Sequence, residues 1–103
     1  MLAISRFRVP PERTPLFVER ARAASEFFRG RPGCQGVDVV QNLDDAELWS
    51  IVTRWSDVGS YRRSFNGNDA KMVLVPLLSE AIDEPSAYDE PRHVGVNVPR
   101  GRD

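Results

Sequence analysis

The apolar residues of the chain change spacing several times, and each change marks an element. From Leu2 to Val9 the run carries Ile4, Phe7 and Val9 and stops at Pro10-Pro11, which predicts a first strand over 2–9. Thr14 is then a candidate N-cap, and Pro15 stands at the first helical position, where its missing N–H costs nothing. Phe17, Ala21, Ala24 and Phe28 repeat at helical spacing, with Leu16, Ala23 and Phe27 widening the stripe. Glu19, Arg20, Arg22, Glu26 and Arg29 occupy the remaining surface, and Gly30 with Pro32-Gly33 ends the helix. A second strand is expected at 36–42 and, after the turn residues Asn42 to Asp45, a third from Glu47 to Trp55. Ser56 or Asp57 can cap a short helix through Tyr61 and Phe65, closed by Asn66-Gly67-Asn68. A further helix starting at Asp69 should hold Met72, Val73, Leu77, Leu78, Ala81 and Ile82, kinked or restarted at Pro76. A fourth strand is expected around 86–90. Beyond it lies a tail in which Val94, Val96 and Val98 alternate, read as an extra edge strand or as disorder.

The third strand constrains the assembly. Trp49, Ile51, Thr53 and Trp55 point to one face, and Leu48, Ser50, Val52 and Arg54 to the other. Val39 and Val40 divide in the same way on the second strand. An antiparallel sheet with helices on one side should leave its other face polar if nothing covers it. Bulky apolar groups on both faces therefore call for a partner, and a two-fold dimer packed sheet against sheet is the economical one.

Composition narrows the function classes. At 103 residues the chain fits one domain. A domain of this size buries only roughly 65% of the surface of its unfolded chain, so burial through oligomerisation would help. A net charge of −1 is not the basic footprint of a nucleic-acid binder. Cys34 is the single cysteine, which rules out an intrachain disulfide and a thiolate metal cluster, and no zinc spacing or phosphate loop is present. Without a leader-like start or a membrane-length apolar run, the expected location is the cytoplasm. The expected organisation is one α+β domain over 1–91 and a tail over 92–103.

The order strand, long helix, strand, strand, two short helices, strand accompanies two local patterns. These are Arg31-Pro32-Gly33-Cys34-Gln35-Gly36-Val37 and Val52-Thr53-Arg54-Trp55-Ser56-Asp57, with Tyr61 about six residues after the tryptophan. Together they resemble the antibiotic biosynthesis monooxygenase family over roughly residues 1–90. The resemblance implies a ferredoxin-like four-stranded antiparallel sheet with helices on one face, paired into a dimeric α+β barrel. Each subunit would enclose a pocket between its sheet and its helices. Some members of that family oxygenate polyketide phenols or anthrones to quinones without a cofactor, and others cleave haem, so the fold does not choose the chemistry. Haem-degrading members use a histidine, an asparagine and a tryptophan. Those positions fall here on Val73 or Leu74, on Ser5, and on Ser64 or Phe65, and all three depart from the pattern.

A cofactor-free oxygenase must remove a proton from its substrate, stabilise the resulting anion and exclude water. The candidate catalytic residues are accordingly Tyr61 and Asn66 as donors and Arg54 as an oxyanion partner. Trp49, Trp55, Phe65 and Ser5 are the candidate walls of the substrate pocket. Each has a plainer account: core or interface aromatics for the tryptophans, a packed tyrosine, a surface ion pair for Arg54 and a helix-ending turn for Asn66. His93 is the one side chain with a near-neutral reference pKa, but it lies in the expected tail. Cys34 lacks an activating histidine, and Asp44-Asp45, Asp83-Glu84 and Asp89-Glu90 read as solvated charge in turns. The expectation is a homodimeric monooxygenase acting on an aromatic small molecule, with no cofactor, metal, nucleic acid or membrane. The competing expectation is a non-catalytic dimer that binds an apolar ligand.

Overall fold

The computed structural model describes residues 1–94. Strand β1 (Leu2–Arg8) leads through a 3-10 helical turn (Pro11–Arg13) into helix α1 (Thr14–Arg29). Strands β2 (Cys34–Gln41) and β3 (Leu48–Trp55) follow, then helices α2 (Val58–Arg63) and α3 (Asn68–Leu78). A short strand β4 (Ala87–Tyr88) and one helical turn, α4 (Pro91–Val94), end the described chain. All pairings are antiparallel and the sheet order is β2-β3-β1-β4, the ferredoxin-like arrangement expected. The valines of the tail beyond Val94 lie outside the described residues.

The helical stripe is borne out. Phe17, Ala21, Ala24 and Phe28 are buried on α1, joined by Ser25, whose hydroxyl escapes burial unpaired by donating to the Ala21 carbonyl at 2.8 Å. Leu16 and Ala23 are exposed instead, since a helix resting on a sheet buries only a narrow stripe. The core joins this stripe to Phe7, Val37, Ile51 and Trp55 of the sheet and to Ala70, Leu74 and Leu77 of α3. Each large side chain there contributes roughly 1.5–3 kcal/mol through burial.

Several local expectations change. Thr14 does not cap α1 with its hydroxyl, which donates instead to the Pro10 carbonyl at 3.2 Å. At α2 the cap is Asp57, whose Oδ1 accepts from the Ser60 amide at 2.7 Å. Helix α3 runs through Pro76 but stops at Leu78, so Ala81 and Ile82 are not helical. The reason lies at the sheet edge. Strand β4 covers β1 only at Leu2 and Ala3, and the exposed edge beyond them needs partners. Residues 82–86 supply them: Ile82 N–H donates to the Arg6 carbonyl at 2.8 Å, and Ile4 N–H donates to the Ser86 carbonyl at 2.7 Å. Satisfying a sheet edge outweighs two more residues of helix.

The sheet has one covered and one open face. Ala3, Phe7, Val37, Ile51, Thr53 and Trp55, all of one parity, are buried under the helices. No described strand residue of the other parity is buried. On that side Ile4 lies opposite Val52, and Val40 is 47% exposed. Charged pairs rim it, among them Arg54 with Asp38 at 2.7 Å.

Candidate functional site

Between the covered face of the sheet and the helices lies a cavity of about 250 Å³. Three rings form its wall: Phe28 of α1, Tyr61 of α2 and Phe65 just beyond α2. They meet edge-on, with centroids 6.1 Å apart for Phe28–Phe65 and 5.1 Å for Tyr61–Phe65, an arrangement aromatic quadrupoles favour. Ile51, Thr53 and Ser5 line the sheet side. The antiparallel register places Ser5 opposite Ile51 and Ala3 opposite Thr53, so period-two alternation aims them at one space. The strap at 81–86 closes the remaining side and brings Glu84 to it.

Of the residues singled out in the sequence, Ser5, Tyr61 and Phe65 converge here. The hydroxyl groups of Ser5 and Tyr61 make no hydrogen bond within the described residues, which leaves them available to a ligand. The other four lie elsewhere. Trp55 is 1% exposed and stands behind the wall, edge-on to both Phe28 and Tyr61, while its indole N–H donates to the Thr53 hydroxyl at 2.8 Å. Its donor is therefore already used. Trp49 packs on Phe17, 5.4 Å between centroids, away from the cavity, and its shielded indole N–H has no partner among the described residues. Arg54 points to the open face and pairs with Asp38. Asn66 is exposed at the α2–α3 turn, in a separate recess. His93 lies on α4, 3.2 Å from Asp89, and is not on the cavity wall.

Glu84 is not the solvated charge that its turn position suggests. Its carboxylate is chelated by the Arg6 guanidinium, with contacts of 2.6 and 2.7 Å. These hydrogen bonds hold its pKa below the usual carboxylate range. No local signal in Asp83-Glu84-Pro85 announces this, because the partner sits on the first strand. Thr53 was also missed, though the parity of the third strand placed it beside Ile51.

The family model for antibiotic biosynthesis monooxygenases matches residues 1–72. The chain belongs to this family. Solved structures of the same shape include a conserved protein from Methanosarcina mazei, 26% identical, with TM-score 0.69 and 84% of each chain covered. A protein named simply as an antibiotic biosynthesis monooxygenase is 19% identical with TM-score 0.68, over 88% of this chain and 100% of that one. SnoaB of Streptomyces nogalater, named as a cofactor-independent oxygenase, is 17% identical with TM-score 0.68, over 79% and 82% of the two chains. A search of curated proteins returns no match. Helix α3 carries a half-buried Val73 and a buried Leu74. Among the described residues no three His, Cys, Asp or Glu side chains are grouped to hold a metal, and no helix is long and apolar enough to cross a membrane.

Proposed function

We propose that this family member is a cofactor-independent monooxygenase acting on an aromatic small molecule of the polyketide phenol or anthrone type. The observation that carries the reading is the cavity itself, a ring-walled space lined by Ser5 and Tyr61, whose hydroxyls make no hydrogen bond among the described residues. A flat aromatic substrate stacks or packs edge-on against Phe28, Tyr61 and Phe65, and its developing oxyanion accepts from the two hydroxyls. In such chemistry the substrate anion reduces dioxygen. A ring CH₂ becomes C=O, one oxygen atom enters the product, and the other leaves as water with the two hydrogens. Glu84 is charged at neutral pH and is a weak proton acceptor, so most of the acceleration must come from anion stabilisation and exclusion of water. The same reading has two copies packed through the open sheet faces around Ile4 and Val52, which buries apolar area that a single copy leaves to solvent.

Oxygen uptake with a panel of model anthrones tests the enzyme. Wild type should exceed the uncatalysed rate, and Tyr61→Phe and Ser5→Ala should each lower kcat by roughly tenfold to a hundredfold. Failure of wild type across the panel removes the catalytic claim. One observation favours a second reading, a binding module without turnover: no histidine or other side chain of near-neutral reference pKa lines the cavity among the described residues. That module would show ligand quenching of Trp55 fluorescence with no oxygen consumed.

A further inference from the structure

Outside the cavity, the C-terminal end of α1 and the α2–α3 turn enclose a recess of about 220 Å³. Its wall includes Arg31, Ser60, Arg63 and Asn66, and it shares no lining residue with the cavity. Arginines elsewhere on the described chain sit within ion-pair distance of a carboxylate, as Arg6, Arg13, Arg22 and Arg54 do. Arg31 and Arg63 do not, although each guanidinium is held in place. Arg31 stacks over the Phe27 ring at 5.2 Å and donates through Nη2 to the Arg63 carbonyl at 3.1 Å. Arg63 donates through Nη2 to the Ser60 hydroxyl at 3.4 Å. Arg29 at the end of α1 and Arg62 on α2 have no carboxylate partner among the described residues either, which adds positive charge nearby. Asp57 accepts from the Ser60 amide at the start of α2 and interacts with Arg63 without forming a close ion pair.

A guanidinium has five N–H donors, and these bonds use one from each. The Asn66 side chain adds an amide with no partner in the described residues. Two guanidiniums outside any ion pair of the described residues, of which Arg63 feels Asp57 at longer range, and a primary amide around one concavity match the oxygens of an oxyanion. We propose that the Arg31–Arg63–Asn66 recess is a binding site for the carboxylate or phosphate group of a small molecule, separate from the aromatic cavity.

Calorimetric titration of the full chain at constant ionic strength, with inorganic phosphate in one arm and benzoate in the other, distinguishes the two sources of oxyanion. Saturable binding of either probe is expected, together with a shift of the Asn66 side-chain amide resonance in a ¹H–¹⁵N spectrum. Arg63→Gln and Asn66→Asp should each weaken that binding by about tenfold, while the distant Arg22→Gln leaves it unchanged. Arg31→Gln should do the same; if loss of its Phe27 packing unfolds the protein, the two exposed positions still carry the test. The proposal is overturned if neither probe saturates at millimolar concentration, or if Arg63→Gln and Asn66→Asp bind as wild type does. None of these outcomes depends on oxygenase activity.

Discussion

The Arg6 guanidinium grips the Glu84 carboxylate through two hydrogen bonds, Nε to Oε2 at 2.6 Å and Nη2 to Oε1 at 2.7 Å. The pair fastens the strap at 82–86 to β1 and so closes one side of the cavity. Replacing Glu84 by Gln removes the charge and should loosen the strap locally. Hydrogen exchange should speed up several-fold at the Ile82 amide, which bonds to the Arg6 carbonyl, and stay unchanged at Ile51 in the sheet centre. Equal acceleration at both positions would show that the pair supports the whole fold instead.

Gly33 and Gly67 both have positive φ, 87° and 97°, but only one is crowded. A Cβ at Gly33 would lie 2.4 Å from the Ser60 Cβ, whereas at Gly67 it would meet open space. Gly67→Ala should therefore cost about 1 kcal/mol, the backbone term alone. Gly33→Ala adds displacement of α2 and should cost about 2–4 kcal/mol in urea unfolding. Similar losses at the two sites would mean that the turn relaxes easily.

The Trp55 indole N–H depends on the Thr53 hydroxyl for its hydrogen bond. Thr53→Val keeps the shape of the side chain and orphans the indole N–H, at a cost of about 1–3 kcal/mol. Thr53→Ser retains the hydroxyl and should lose less. Chemical denaturation of the two variants side by side makes the comparison.

The Asp57 carboxyl is held below the ordinary carboxylate range chiefly by the Ser60 amide and hydroxyl. Its folded pKa is depressed, so the stability it contributes is fully present above about pH 4 and is lost as pH falls through the folded value. Asp57→Asn keeps the cap acceptor without the titration. Melting temperature measured between neutral pH and pH 2 should fall less steeply for Asp57→Asn than for wild type.

Val52 faces Ile4 on the open side of the sheet. If that face joins two copies, Val52→Glu puts a carboxylate into the joint and should weaken dimerisation by roughly 100-fold or more. Sedimentation velocity on both proteins reads this directly. A monomeric wild type at micromolar concentration would sink the sheet-to-sheet proposal.

Much of the architecture was legible from local spacing. Phe17, Ala21, Ala24 and Phe28 define the buried stripe of α1 because helical period alone puts them on one face. Parity on the third strand placed Ile51, Thr53 and Trp55 together for the same kind of reason. Pro-Gly and Asn-Gly-Asn marked real turns, since backbone conformations open mainly to glycine leave a composition signature.

The division of labour among those residues needed the tertiary structure. Trp49 and Trp55 look alike in sequence, yet one lies at the far end of the sheet against Phe17 and the other backs the cavity wall. Which ring reaches the cavity is set by helix placement across the sheet, and no i-to-i+2 rule contains that information. Glu84 and Asn66 show the same limit. One reads as a solvated turn acid until Arg6 meets it from 78 positions away, and the other reads as a pocket donor or a helix-ending turn until it lines a separate recess with Arg31 and Arg63. Period and turn chemistry act over a few neighbouring residues and can be read along the chain. Salt bridges, cavities and their polar linings join segments that only folding brings together.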